Sequence, residues 1–219
     1  MCSLDLLAVP LSDESWKVRS ATVETLKLIS ARGDQDAIRL LAALLLDADG
    51  NVRFLAADGL AQIVDACDND TLRFFIPLLD DELSSVRSVA LKSIARIAGK
   101  GDQHIIQLLA PLLRDAEYPV RCSAVMAIAE VANTGDEDAI TLLATRLEDP
   151  DYPVRCATTV ALAQVACKGN KRVIGLVSGL CVDEHRAVEN AARKCLVKME
   201  ASRPTTACRG AHQMHGADD

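Results

Sequence analysis

DAEYPVRCSAVMAIAEVANTG, residues 115–135, reappears in altered form as DPDYPVRCATTVALAQVACKG, residues 149–169. The two segments share an opening aspartate, Tyr-Pro-Val-Arg-Cys and a closing glycine in one register, and self-similarity at a fixed period marks a repeat architecture. Moving outward, Val-Arg recurs at Val18-Arg19, Val52-Arg53, Val86-Arg87, Val120-Arg121 and Val154-Arg155, and one further step reaches Val188-Glu189. Five residues before each valine stands an aspartate: Asp13, Asp47, Asp81, Asp115, Asp149 and Asp183. Eight residues after it come Leu26, Leu60, Ile94, Ile128, Leu162 and Leu196, and three further on Ile29, Ile63, Ile97, Val131, Val165 and Met199. Steps of 8 and 11 keep to one face of an α-helix.

Each unit therefore holds two helices. The second starts around Val-Arg, where Pro119 and Pro153 suit a first helical position, and runs about 14 residues to a glycine at the site just past the helix end: Gly33, Gly101, Gly135 or Gly169, with Cys67 the exception. Asp34, Asp68, Asp102, Asp136 and Asn170 then offer N-caps for the next first helix. The first helices carry Ile38-Leu41-Leu45, Leu72-Phe75-Leu79, Ile106-Leu109-Leu113 and Ile140-Leu143-Leu147. Neither helix buries its stripe alone, so stacked units must share a core. The fold expected is all-α: a right-handed α-solenoid of about five and a half 34-residue helical hairpins over residues 1–200, with a disordered tail over 201–219 that lacks any period.

Composition agrees. Half of the 219 residues are apolar and only 3% are aromatic, which suits a core of aliphatic side chains between helices. A net charge of −7 with no basic stripe speaks against nucleic acid. No apolar run approaches the roughly 20 residues that span a bilayer, so membrane insertion is not expected. Eight cysteines without a Cys-x-x-Cys pair read as free thiols in a cytoplasmic or other reducing intracellular compartment.

An aspartate in the turn, then Val-Arg-x-x-Ala and a Leu-x-x-Ile stripe, resembles the short HEAT repeats of the phycobilisome-lyase type. The Trp-Gly-Tyr signature of tetratricopeptide repeats and the Thr-Pro-Leu-His of ankyrin are absent. The resemblance covers residues 4 to about 200. It implies a scaffold whose second helices line a concave surface, and with it a protein-interaction adaptor rather than an enzyme. The alternatives are a bilin-lyase-like or chaperone subunit acting on a chromoprotein, or a structural segment or peripheral subunit of a larger assembly.

Chemical sites are sparse. Deoxyhypusine hydroxylase resembles this fold but uses repeated His-Glu pairs, and no His-Glu occurs here. His104, His185, His212 and His215 share no repeat position; Cys208, His212 and His215 have ligand spacing but fall in the tail without a fourth donor. Cys181 and His185 are separated by the turn at Asp183. No catalytic, metal or cofactor site is expected. Arg19, Arg53, Arg87, Arg121 and Arg155 read as a structural ladder with the turn aspartates of their own or the adjacent unit.

A helical wheel with the valine at zero places the core near Val18, Thr22, Thr25 and Ile29, and the exposed ridge at the second, sixth and ninth residues beyond the valine. Those columns read Ser20-Glu24-Lys27, Phe54-Asp58-Ala61, Ser88-Lys92-Ala95, Cys122-Met126-Ala129, Cys156-Val160-Ala163 and Asn190-Lys194-Val197. The fourth and fifth units are apolar where exposure favours charge, so a protein partner is expected on Phe54, Cys122, Met126, Ala129, Cys156, Val160 and Ala163. Cys122 and Cys156, one repeat apart, are too distant for a disulfide. The first unit lacks most of its first helix, which should leave Leu4, Leu7 and Leu11 partly uncovered for a neighbour. In the last unit Arg193, Lys194 and Lys198 give a basic terminal helix.

Overall fold

The computed structural model describes Leu7 and residues 9–65 and 69–200. Among them are eleven α-helices and no strand. They are α1 (Trp16–Ile29), α2 (Gln35–Ala43), α3 (Gly50–Ile63), α4 (Asn69–Phe75), α5 (Ser84–Ile97), α6 (Gln103–Leu109), α7 (Tyr118–Val131), α8 (Glu137–Ala144), α9 (Tyr152–Val165), α10 (Lys171–Ser178) and α11 (Arg186–Glu200). Odd-numbered helices are the second helices of the repeat, and each opens two residues before its Val-Arg valine or the valine of Val188-Glu189. Residues 1–99 and 100–219 cluster as two compact units. In the first, α1, α3 and α5 pack side by side with α2 and α4 against them; in the second, α7, α9 and α11 do so with α6, α8 and α10.

The expected N-caps open four of the first helices, but the glycines expected just past the second helices stand four residues beyond the last helical residue, in the turn that leads to the next first helix. The helices α1, α5, α7 and α9 end at Ile29, Ile97, Val131 and Val165 with Ser30, Ala98, Ala132 and Ala166 as extended C-caps. Asp34 accepts from the amides of Asp36 and Ala37, while Asp102, Asp136 and Asn170 accept from Ile105, Ala139 and Val173. Gly33, Gly101, Gly135 and Gly169 take φ from 75° to 85°, the left-handed region that a side chain disfavours. Their amides reach into the next repeat. Gly33 donates to the Ile63 carbonyl at 2.7 Å, Gly101 to Val131 and Gly135 to Val165 at 2.7 Å, and Gly169 to Met199 at 3.0 Å. Each of these bonds joins one hairpin to the final turn of the next second helix. The four-residue reach of ordinary helix bonding leaves such terminal carbonyls without intrahelical donors. Cys67 and Asp68 lie outside the described residues.

The two core columns behave as the period requires in the inner repeats, while Leu196 of the last repeat is half-buried. Leu26, Leu60, Ile94, Ile128 and Leu162 are fully buried, as are the stripe residues Ile63, Ile97, Val131, Val165 and Met199 to within 3%. The first unit departs from the pattern. Val18 is 38% exposed and Ile29 54%, and Thr25 is also exposed, so of the expected core set only Thr22 is buried. The reason is local: among the described residues α1 is preceded only by a 3-10 turn at Pro10–Ser12, where the other second helices follow a full first helix. Leu11 of that turn is buried, against the expectation that it is partly uncovered, whereas Leu7 is half-buried, as expected. Leu4 and the residues of the expected tail, Cys208, His212 and His215 among them, lie outside the described residues.

Candidate protein-binding surface

The surface rests on a polar frame. The Val-Arg arginine reaches the turn aspartate of the next repeat. Arg19 donates through Nε and Nη2 to both carboxylate oxygens of Asp47 at 2.6 and 2.7 Å, Arg53 to Asp81 at 2.7 and 2.9 Å, and Arg121 to Asp149 and Arg155 to Asp183 at 2.9 Å throughout. The remaining Nη1 donates back to the carbonyls that open the arginine's own turn, as Arg121 does to Asp115 and Ala116 at 2.9 and 3.0 Å. Arg87 makes the same pair of contacts to Asp81 and Glu82 at 2.8 and 3.1 Å. The aspartate in turn accepts the amide two residues on, from Asp49 onto Asp47 at 2.8 Å and from His185 onto Asp183 at 2.8 Å. One planar guanidinium thus clamps its own turn and the adjacent one, a bidentate geometry that lysine could not supply.

These side chains are nearly dry. Arg53, Arg121 and Arg155 are buried and the Asp149 side chain is fully so. Burial pushes the Asp47 and Asp81 carboxyls up, but the paired guanidinium and the turn amide together outweigh it and hold both below the usual carboxylate range. For Asp183 the bond from Arg155 is the largest influence, and it too lies low. The frame is charged at neutral pH and its donors are occupied. It sets the geometry of the turns and leaves little for a ligand.

The exposed ridge differs from the wheel in one column. Of the residues nine beyond the valine, Ala61 is 6% exposed, Ala95 3% and Ala129 0%, so Ala129 cannot belong to a contact surface; Lys27 and Ala163 are half-buried and Val197 is 68% exposed. Ser20, expected on the ridge, is also buried. A wheel drawn for one helix treats the whole side opposite the core as solvent. In a stack, that flank meets the neighbouring second helix. The contact is close: Gln164 of α9 donates to the Ala129 carbonyl of α7 at 3.2 Å, and in the first unit the Lys27 stem passes 2.8 Å from where a Cβ on Gly59 would lie. Lys27 is held there by Glu24 and Asp58 at 3.3 and 2.9 Å.

What remains outward is the second, sixth and tenth columns. Phe54, Cys122 and Cys156 are half-buried, Met126 and Val160 are 39% and 50% exposed, and Ala163 is half-buried on the flank. The tenth column, which the wheel passed over, brings Glu130 and Gln164 to the surface beside them. In the sixth column the other repeats carry Glu24, Asp58, Lys92 and Lys194. Met126 and Val160 alone break that run.

The cysteines on this ridge are apolar surface. Burial raises the Cys122 and Cys156 thiols, with Asp149 and Asp183 adding to the effect and the adjacent arginines opposing it. Both stay protonated at neutral pH, the opposite of an activated nucleophile. They are free thiols, as are Cys181 and Cys195, whereas Cys167 is disulfide-bonded, so the expectation of free thiols throughout does not hold there. His185, considered beside Cys181, stacks on Tyr152 with ring centroids 3.5 Å apart. Among the described residues no three His, Cys, Asp or Glu side chains form a metal-sized group, and no helix is long and apolar enough to cross a membrane.

The family of HEAT repeats matches residues 4–95 and again 72–163. Among curated proteins none matches. Solved structures with the same fold include an engineered protein, 22% identical with a TM-score of 0.63, covering 92% of this chain and 98% of its own. A designed armadillo repeat protein in complex with the peptide (KR)4 is 22% identical with a TM-score of 0.63, over 90% of this chain and 99% of its own. The complex of CpcE and CpcF of phycocyanin lyase from Nostoc sp. PCC7120 is 18% identical with a TM-score of 0.60, over 88% of this chain and 75% of its own. Identities at this level speak to fold alone, and the fold is the repeat solenoid anticipated from the period. With the family matched over residues 4–163, the chain belongs to the HEAT-repeat proteins.

Proposed function

We propose that this chain is a non-enzymatic scaffold that holds a protein partner on the second-helix ridge of its residues 100–219, with Met126 and Val160 at the centre. The observation that supports it is the column itself: two aliphatic side chains, 39% and 50% exposed, stand where every other repeat places a charge. The scaffold does not need them there, since Asp58 and Lys92 serve the same position in the first unit. Half-buried Cys122 and Cys156 extend the apolar strip, and Glu130 and Gln164 rim it. Methionine adapts to a partner's shape, and the protonated thiols cost little to desolvate. A recruited segment would bury this strip as an interface core with a polar rim.

The test separates binding from folding. Met126→Glu with Val160→Glu should leave helicity and melting temperature near wild type while the partner crosslinked and captured from native extract is lost. Gln107→Glu, exposed on α6, serves as control. Capture unchanged by the double variant would place the partner elsewhere. A lyase-like or chaperone role on a chromoprotein has only the shared fold behind it; a visible absorbance band on mixing the purified chain with a linear tetrapyrrole would move the reading that way.

A further inference from the structure

The first unit carries a second feature that the scaffold does not explain. Between α2 and α4 lies a groove of about 410 Å³, with Ala42, Ala43, Phe74 and Pro77 among its lining and Leu46 at its edge, 83% exposed. Arg39 and Arg73 line it as well, and they occupy equivalent positions one repeat apart. Later repeats place Gln107, Thr141 and Gly175 at that position, so the fold does not require arginine. Leu46 is likewise a departure, because its equivalents are Asp80, Arg114, Glu148 and Val182, three of them charged. Ala43 stands where the next two repeats have Pro77 and Pro111, and its small side chain leaves the floor open. The fourth and fifth repeats have Thr145 and Gly179 there, so all three positions are ones the repeat leaves free to vary, and their residues converge on one groove.

The arginines are available. Arg73 makes no ion pair among the described residues; its guanidinium lies over the Phe74 ring at 5.1 Å, which orients it without neutralising it. Arg39 pairs with Asp36 one helical turn away, both side chains being largely exposed. Such surface pairs contribute little, and a guanidinium has donors to spare for a second carboxylate.

We propose that this groove docks an amphipathic helix of a protein partner, carrying two carboxylates two turns apart on either side of an apolar side chain. Arg39 and Arg73 stand one repeat apart on two first helices with the groove between them, and residues i and i+7 of a helix span about 10.5 Å, on the order of one repeat's advance. A helix laid across α2 and α4 can thus set one carboxylate against each arginine while its central side chain enters the recess. An anionic bilayer fits less well. Asp36, Asp70 and Asp80 flank the groove on the same segments and would face a uniformly negative surface, whereas a peptide places its charges only where the guanidiniums are.

A display library of short helical peptides, each about four turns long and randomised on one face, panned against the full chain, tests this. Enriched peptides should carry Asp or Glu at i and i+7 around an apolar residue. They should bind at least tenfold more weakly to Arg39→Glu/Arg73→Glu and to Ala43→Trp, each checked for unchanged helicity, and equally well to Met126→Glu/Val160→Glu. The proposal is overturned if nothing is enriched, if the pattern is absent, or if binding survives the double arginine variant. It is overturned equally if co-sedimentation with phosphatidylglycerol vesicles depends on Arg39 and Arg73, which would assign the groove to a membrane surface.

Discussion

Asp149→Asn tests whether the arginine ladder holds the repeats together or merely decorates their turns. The asparagine keeps one acceptor, so the Asp151 amide at 3.1 Å and one Arg121 donor can still be received. Its NH2 group then faces the Arg121 Nε–H that now donates to Oδ2 at 2.9 Å, and two donors meet in a site where the native carboxylate is fully buried. Breaking a buried pair from one side costs about 3–5 kcal/mol. Here Asp151 at 2.6 Å and the carbonyls of Asp115 and Ala116 retain part of the guanidinium's coordination, which lowers the expectation to about 2–4 kcal/mol. For a chain of this size that is a fall of about 4–16 °C in Tm. Arg121→Met should cost at least as much, because it strands Asp149 with the Asp151 amide and Arg146 at 3.8 Å. The double variant Arg121→Met/Asp149→Asn should fall short of the sum of the single variants by more than about 1 kcal/mol, the signature of a direct pair. Urea titration followed by circular dichroism at the helix band measures all three. A loss for Asp149→Asn below about 0.5 kcal/mol, the size of an ordinary surface substitution, or strict additivity, would show that the ladder is not what fixes neighbouring turns.

Three further outcomes follow from the same geometry. Ala129→Glu should unfold the second unit or cost more than about 3 kcal/mol, because it forces a carboxylate into a fully buried site, whereas Met126→Glu three residues earlier should change Tm by less than about 2 °C; equal tolerance in thermal melts would restore the ninth column to the surface. Asp47, Asp81 and Asp183 have folded-state pKa values below the unfolded carboxylate value of about 3.9, so the stability they contribute is present above that pH and is lost as pH falls through the folded values. Urea midpoints should therefore be flat from about pH 5 to 8 and drop steeply below about pH 4, and a steep change between pH 5 and 8 would contradict this. Gly101→Ala, at φ 78° and with its new Cβ 2.1 Å from the Asn133 amide, should lose about 1–2 kcal/mol, while Gly99→Ala meets no atom within 4 Å and should be neutral or slightly stabilising by the same urea assay.

The period made the fold legible because it is a property of single residues in fixed register. Val-Arg, the turn aspartate and the closing glycine each report a backbone event: a first helical turn, an Asx-type cap, a left-handed residue. All three are local; the first two stand where the spacing put them, and the glycine is left-handed as expected but in the turn four residues past the helix rather than at its end. The partner of each arginine is not local. From the sequence it could be its own turn or the next, and the answer is both, with carbonyls from one and a carboxylate from the other. The amides of Gly33, Gly101, Gly135 and Gly169 teach the same lesson, since a residue read as a helix terminator stands four residues past the helix and bonds a carbonyl at the far end of the following repeat. Their spacing contained the contact, but only the stacking of hairpins turns spacing into distance.

The misplaced column has a physical cause that applies to the candidate site directly. A second helix in a stack is covered on three sides: by its own first helix and by the second helices before and after it. Its free arc is therefore narrower than a two-sided wheel allows, and it is centred off the direction opposite the valine. Alanine at the ninth column was the available signal. Ala61, Ala95, Ala129 and Ala163 repeat with a regularity that partner surfaces do not need but close helix contacts do. Once the repeated alanines are assigned to packing, Met126 and Val160 stand out as the positions where exposure and departure from the repeat coincide, and Arg39, Arg73 and Leu46 meet that criterion on the first helices. In a solenoid, residues that recur build the stack. Residues that break the recurrence while facing water are the ones free to recognise something else.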